Sequence, residues 1–366
     1  MTPETVAVAM SGGVDSSVAA ALLKEQGHDV VGITLQLWPK AAADLDRHHG
    51  CCSLDAVEDA RRVATSLGIP YYVLDVQEEF QARVVEPFLT DYEEGRTPNP
   101  CISCNNEVKF DLLLRKARSI GAGALATGHY ARTEHDGDKF KLLRAVDTGK
   151  DQSYVLYGLG QEELAVARFP LGTWRKEAAR AKARALGLVT ADKPDSVEIC
   201  FVTGGDYRDL LSRRQASSAG DIRYVDGRPL GAHTGVGNYT VGQRSGLGAL
   251  PKGLEGPLFV IDIDAGSRVV TMGPRDALRR ETIELGEVSF VAGGAPAALF
   301  TADVRVRYGA RSVPARVEVA RDAHTATVAP EEPLSSASPG QAAVLYDGEA
   351  VLGGGRILRR VARAVA

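Results

Sequence analysis

A chain of 366 residues is too long for one ordinary core and points to two or three domains. With 44% hydrophobic and 25% charged residues the composition is globular, and no apolar run approaches the roughly 20 residues that cross a bilayer, so no membrane-spanning helix and no membrane partner are expected. A net charge of −4 argues against non-specific coating of nucleic acid but leaves room for reading a folded RNA by shape and one extruded base.

No basic region precedes the first apolar stretch, so no secretory leader is expected and the location is read as cytoplasmic. That stretch, Val6 to Met10, reads as a strand, and the glycine turn after it opens a helix from Ser17 to Gln26 with Gly27 as its C-cap. Strands then follow at His28–Leu37, Tyr71–Val76 and Ala124–Thr127, and helices at Leu54–Leu67, Glu78–Tyr92 and Lys109–Ile120. This β-α alternation predicts a doubly wound parallel α/β sheet with ligands at the carboxyl ends of its strands. Near residue 205 the pattern changes. Glycine-rich sequence with a hairpin around Phe259–Met272 suggests a small mixed domain. From about Glu281 onward, period-2 alternation, as in Asp303–Tyr308 and Ala315–Val319, suggests an antiparallel β-barrel. The expected domains are therefore 1–205, 206–280 and 281–366.

Strand, Ser11-Gly-Gly-Val-Asp-Ser-Ser17, helix is a phosphate-binding arrangement. Gly12 and Gly13 let the backbone approach an anion, and successive N–H groups with the helix N-terminus stabilise a polyphosphate. Ser11, Ser16 and Ser17 add hydroxyl donors, and Asp15 holds a magnesium ion or caps the helix. The loop lacks the lysine of a Walker A sequence and the GxGxxG of dinucleotide binders.

The five cysteines are an odd number in a long chain, which disfavours a disulfide framework. Cys51 and Cys52 read as buried, inert thiols; completing a zinc site from them with His48 and His49 would need fortunate folding. In Arg96-Thr-Pro-Asn-Pro-Cys-Ile-Ser-Cys-Asn105, Arg96 and Lys109 favour thiolates. A redox pair, a metal site, inert thiols and sulfur-carrying chemistry partnered by Cys200 remain open there. His129 reads equally as a base or a satisfied structural histidine. Basic residues at Arg175, Lys176, Arg180, Lys182 and Arg184, and at Arg305, Arg307, Arg311 and Arg316, suggest a phosphate-contacting track.

The loop resembles the signature of the ATP pyrophosphatases. Together with RTPNPCISCN, ATGHYAR, DTGKDQSYVLY, KPDSVEICF, TVGQRSGLG and SPGQAAVLYDGEAVLGGG, in that order over nearly the whole chain, it resembles the tRNA-specific 2-thiouridylases. The resemblance implies an adenine nucleotide alpha-hydrolase-like first domain and ATP-dependent 2-thiolation of the wobble uridine. The C2 oxygen would be adenylated, and sulfur would come from a Cys200 persulfide with Cys104 as its catalytic partner. It implies ATP contacts at Ala9, Met10, Ser11, Gly12, Gly13, Val14, Asp15, Ser16, Leu35 and Gly128. It also implies tRNA contacts at Asn99, Pro100, Cys101, Lys150, Asp151, Gln152, Arg307 and Tyr308. ATP and Mg2+ are the implied cofactors, and tRNA and an upstream sulfur-carrier protein the partners of a monomer. Some relatives carry Asp where Cys101 stands, so an iron–sulfur cluster on Cys101, Cys104 and Cys200 is the alternative sulfur carrier.

Overall fold

The protein is a computed structural model that describes residues 4–37, 54–195, 199–202, 206–214, 219–244, 256–335 and 337–359. Strand β1 (Thr5–Ala9) sends Val6 and Val8 into one apolar cluster and Ala7 into another. The first cluster includes Val18 and Leu22 of helix α1 (Val14–Glu25) and Ala60 of α2 (Leu54–Leu67); the second includes Phe110, Leu113 and Leu164. A strand covered on both faces belongs in a parallel sheet. It pairs in parallel with β2 (Asp29–Gln36) and β4 (Ala124–Ala126), and β2 pairs with β3 (Tyr71–Asp75). A hairpin of β5 (Ala131–Asp136) and β6 (Lys139–Arg144) follows, and then β7 (Ala167–Arg168) completes the order β3-β2-β1-β4-β7. Chain order reverses between β1 and β4, which makes their carboxyl ends the place for a ligand.

The helix expected from Lys109 begins earlier. The chain is helical over Pro100–Ser103, widens into a π-type stretch at Cys104–Leu113 and tightens again at Leu114–Ser119. Pro100 suits the first helical position because it has no N–H to leave orphaned, and Asn99 caps the helix by accepting from the Cys101 N–H at 3.2 Å. The CxxC therefore opens a helix rather than sitting in a loop. Arg83 braces the widened turn, donating to the Glu107 carbonyl at 3.2 Å and to Asp111 at 2.8 Å.

The small middle domain is built from β8 (Gly220–Tyr224), β9 (Pro229–His233), β10 (Phe259–Asp264) and β11 (Val269–Gly273), the last two being the expected hairpin. They form a mixed sheet in the order β10-β11-β8-β9. The C-terminal strands are β12 (Ile283–Phe290), β13 (Leu299–Arg305), β14 (Val313–Val319), β15 (Ala326–Pro330), β16 (Ala342–Asp347) and β17 (Ala350–Ile357). They close through β12–β17 pairing into a six-stranded antiparallel barrel.

Two features join the barrel to the first domain. Strand β17 pairs with β6, Ala350 opposite Leu143, so the barrel sheet continues into the β5–β6 hairpin. Strand β16 is buried on both faces. Ala343 and Leu345 fill the barrel, whereas Ala342, Val344 and Tyr346 share a core with Tyr154 and Leu156 of the first domain. That double burial is why β16 reads as an unbroken apolar run instead of alternating.

Candidate functional site

The phosphate loop sits at the end of β1 and is fixed from several directions. Gly12 has φ +67°, and a Cβ there would lie 2.1 Å from the Ala56 carbonyl oxygen. Gly13 is the N-cap of α1 without a side-chain cap, so the first N–H groups of the helix stay available to an anion. Ser16 Oγ accepts from the Ser11 N–H at 3.1 Å. Ser17 is buried; its hydroxyl donates to the Gly13 carbonyl at 2.8 Å and accepts from Thr190 at 3.0 Å. Ser17 is thus a brace of the loop, and the expectation that it offers a donor to phosphate is corrected.

Two lysines from distant sequence reach the loop, which sequence reading described as lacking one. Lys193 Nζ donates to the Gly12 carbonyl at 3.0 Å and to Asp59 at 2.8 Å. Lys176, buried, donates to both oxygens of Asp15 at 2.8 and 2.7 Å. Tyr130 donates to the same carboxylate at 2.9 Å. Burial and then the charge of Asp15 push the Tyr130 hydroxyl far above its ordinary range, so it stays a donor.

Lys176 also meets Asp195 at 2.8 Å, where Lys150 (2.8 Å) and Arg180 (2.7 Å) converge. Burial would raise the Asp195 carboxyl, but hydrogen bonds from Lys150 and Lys176 outweigh it and hold the group well below the usual carboxylate range. Lys182 pairs with Glu25, and Arg184 with Asp192. Lys176 and Arg180 are therefore engaged within the protein, and the expected track is corrected to internal ties at those two positions, while the Arg184–Asp192 pair lies at the surface. No sequence period signals these contacts, because their partners lie 8 to 161 positions away.

Gly128 follows β4 and backs onto the loop: a Cβ there would stand 2.6 Å from the Ser16 nitrogen. His129 beside it is buried, with Nδ1 2.7 Å from Thr127 Oγ1. Burial, reinforced by Lys109, holds its pKa well below the ordinary value, so it is a neutral, satisfied histidine.

The two catalytic candidates border one apolar cluster. Cys104 and Cys200 are half-buried and pack against one cluster that contains Phe80, Phe88 and Phe201. Leu35, at the end of β2, borders the same cluster and so links the thiols to the nucleotide side. Cys101 is exposed. Among the described residues no three Cys, His, Asp or Glu are grouped as a metal would require. Cys51, Cys52, His48 and His49 lie outside the described residues.

Of the expected RNA-contacting residues, Tyr308, Asp151, Lys150 and Cys101 lie near one another where the barrel faces the first domain. Tyr308 is 47% exposed and lies edge-on to Tyr154, with ring centroids 6.2 Å apart. Burial and then Asp151 raise its hydroxyl pKa, and Lys150, Arg305 and Cys101 are near enough to act on it too. Asp151 itself is buried. One oxygen accepts from the Ala145 and Ser153 N–H groups, both at 3.2 Å. The other accepts from Ser153 Oγ at 3.1 Å and from Arg305 at 3.3 Å. Gln152 likewise turns inward, accepting from the Tyr130 N–H at 3.0 Å. Asp151 thus braces the domain junction. Asp151→Ala would leave Arg305 buried without its carboxylate and should lower stability by about 3–5 kcal/mol. The check is the urea midpoint at unchanged slope; an unaltered midpoint would rule out the brace.

Comparison with known proteins accords with this architecture. Residues 4–204 match the family model described as a tRNA methyl transferase HUP domain. Residues 208–274 match the tRNA methyl transferase PRC-barrel domain, and residues 280–357 the aminomethyltransferase beta-barrel domain. The chain is 48% identical over 376 residues to the tRNA-specific 2-thiouridylase MnmA of Roseiflexus sp. (strain RS-1), covering 97% of this chain and 99% of that protein. It is 49% identical over 359 residues to the protein of that name from Geobacter metallireducens, covering 96% of each. No helix among the described residues is long and apolar enough to cross a membrane. With a nucleotide loop, two half-buried thiols on one core and relatives matched end to end, the chain belongs to the family of the tRNA-specific 2-thiouridylases.

Proposed function

We propose that the protein converts the wobble uridine of tRNA to 2-thiouridine using ATP. The observation that carries this reading is the placement of Leu35, Cys104 and Cys200 around one apolar cluster. A nucleotide-side residue and two thiols there can serve one reacting carbonyl. In this reading residues 1–205 form the catalytic domain, 206–280 a central domain and 281–366 the tRNA-contacting barrel of a cytoplasmic monomer.

ATP lies along Ala9 to Ser16 with Leu35 and Gly128 beside it. The loop N–H groups hold the β- and γ-phosphates, and the uridine O2 attacks the α-phosphate with loss of pyrophosphate. Magnesium, when bound, would neutralise charge on the triphosphate, while Asp15, the loop's own carboxylate, is engaged by Lys176 and Tyr130. The terminal sulfur of a Cys200 persulfide, loaded by an upstream sulfur-carrier protein, attacks C2, and AMP leaves with the former O2. Cys104 thiolate then attacks Cys200 Sγ. The C2-bound sulfur departs as the thiocarbonyl, and a Cys104–Cys200 disulfide remains for a thiol reductant to reopen. Asn99, Pro100 and Cys101, with Lys150, Arg307 and Tyr308, contact the RNA, while Asp151 and Gln152 act on it through the backbone they hold. An iron–sulfur cluster on Cys101, Cys104 and Cys200 does not fit this structure, which forms no such metal-holding trio among the described residues.

The test is an incubation with unmodified tRNA, MgATP and a sulfur donor, with nucleotides and nucleosides analysed together. AMP, pyrophosphate and 2-thiouridine in equal amounts are expected. ADP with phosphate, or a thiolated base other than uridine, would overturn the reading.

A further inference from the structure

The segment Thr97-Pro98-Asn99-Pro100 leads into the helix that carries Cys101 and Cys104, and it is short of partners of its own. Two of its four residues are prolines without an N–H to give. Three of its backbone groups find partners in the barrel. The Thr97 N–H donates to the Pro339 carbonyl at 2.7 Å. Gln341 Nε2 donates to the Thr97 carbonyl at 2.8 Å and to the Pro98 carbonyl at 3.3 Å. Between those two barrel residues, Gly340 has φ +90°, and a Cβ on it would lie 2.8 Å from the Thr97 nitrogen and 2.9 Å from Arg96 Cβ. The Gly340 N–H in turn donates to Ile357 of β17 at 2.9 Å, and the Ile357 N–H to the Gln341 carbonyl at 2.8 Å. One residue upstream of the segment, Arg96 donates to the buried Asp91 at 2.8 Å, and Asp91 also pairs with Arg356 of β17. The barrel's Ser338-Pro-Gly-Gln341 turn is thus hydrogen-bonded onto the segment that sets where the Cys104 helix begins.

We infer that this barrel turn is a positioning device for Cys104, with Gly340 and Gln341 its working residues. The inference rests on the reading of Cys104 as the resolving thiol. The barrel then has a second part in the reaction besides meeting RNA: it completes the frame on which the thiol is presented. Gly340 has to be glycine both for its positive φ and for the close approach to Thr97. Residue 341 has to carry a donor, because two carbonyls face it.

Gln341→Glu keeps the shape and removes both donors, placing a carboxylate against two carbonyl oxygens. In the full-length variant the turnover rate for thiolation should fall about tenfold or more, with the KM for ATP and the Kd for tRNA within about twofold of the parent. The rate at which iodoacetamide alkylates Cys104, read by peptide mass spectrometry, should change by a similar factor, while that of Cys200 stays put. Gly340→Ala should act in the same direction; if it fails to fold, Gln341→Glu carries the test. A Gln341→Glu enzyme with parental turnover and parental Cys104 alkylation would overturn the inference. So would a loss that follows tRNA affinity alone, which would make the turn part of an RNA surface. If the parent makes no 2-thiouridine yet Cys104 alkylation still differs between parent and variant, the proposed function fails while the positioning stands.

Discussion

Replacing Cys200 by serine should abolish 2-thiouridine formation, and so should replacing Cys104, whereas Cys101→Ser should retain it. A hydroxyl cannot carry a sulfane sulfur, and a thiolate is the species that attacks a disulfide or persulfide bond. Losing either thiol removes a covalent step, so the expected loss is at least about 10³-fold. Cys101 differs in its surroundings. It is exposed, near Tyr308 and Lys150, while Cys104 and Cys200 share the Phe80, Phe88 and Phe201 cluster. A modest rise in the Kd for tRNA is all that Cys101→Ser should produce. Quantifying nucleosides after a single turnover decides it, with pyrophosphate release measured in the same samples. The serine variants at 104 and 200 should still release pyrophosphate once, because uridine O2 attack on ATP precedes any use of sulfur. Equal and complete loss in all three serine variants would restore the three-thiol cluster, and thiolation by either the Cys104 or the Cys200 variant would remove that residue from the mechanism.

What was legible in the sequence was what is local. The loop, its strand and its helix are contiguous, and β1 to β4 could be placed from their apolar runs. The Phe259–Met272 hairpin was legible for the same local reason. What was hidden depends on distant partners. The lysines at the phosphate loop come from Lys176 and Lys193, and nothing in a charged helix or a Lys-Pro-Asp run tells a solvated cation from a buried one. The helical start at Pro100 was obscured by two prolines that read as an extended approach, although Asn99 followed by Pro100 is an N-cap signal. The β5–β6 hairpin was missed because its value lies in pairing with β17, some 200 residues on. The same holds for Asp151 and Gln152, whose motif marks a site but whose side chains turn inward to build it.

Adding one methyl group at Gly128 should damage ATP use far more than it damages the fold. A Cβ there would lie 2.6 Å from the Ser16 nitrogen, 2.8 Å from the Asp15 carbonyl carbon and 3.0 Å from Asp15 Cβ. Two of those atoms are backbone of the first turn of α1, so the end of β4 and the phosphate loop must move apart by several tenths of an ångström or more. A displacement of that order at groups that orient a reacting phosphate is expected to lower kcat/KM for ATP by about 10²-fold. Gly12→Ala should be worse for stability, combining positive φ with a contact of 2.1 Å to the Ala56 carbonyl oxygen. Strain and overpacking together should lower its stability by about 2–4 kcal/mol. Gly27→Ala separates the two causes. Its φ is +86°, but nothing lies within 4 Å of the added methyl, and it closes α1 at the end remote from the phosphate loop. That variant should lose about 1–2 kcal/mol and keep its kinetics. Thermal unfolding and pyrophosphate release rates on the three alanine variants test the scheme. Parental ATP kinetics in a folded Gly128→Ala enzyme would show that the β1–β4 crevice does not hold the nucleotide. A Gly27→Ala enzyme as slow as Gly128→Ala would show that helix strain, and not crowding of the loop, is what catalysis feels.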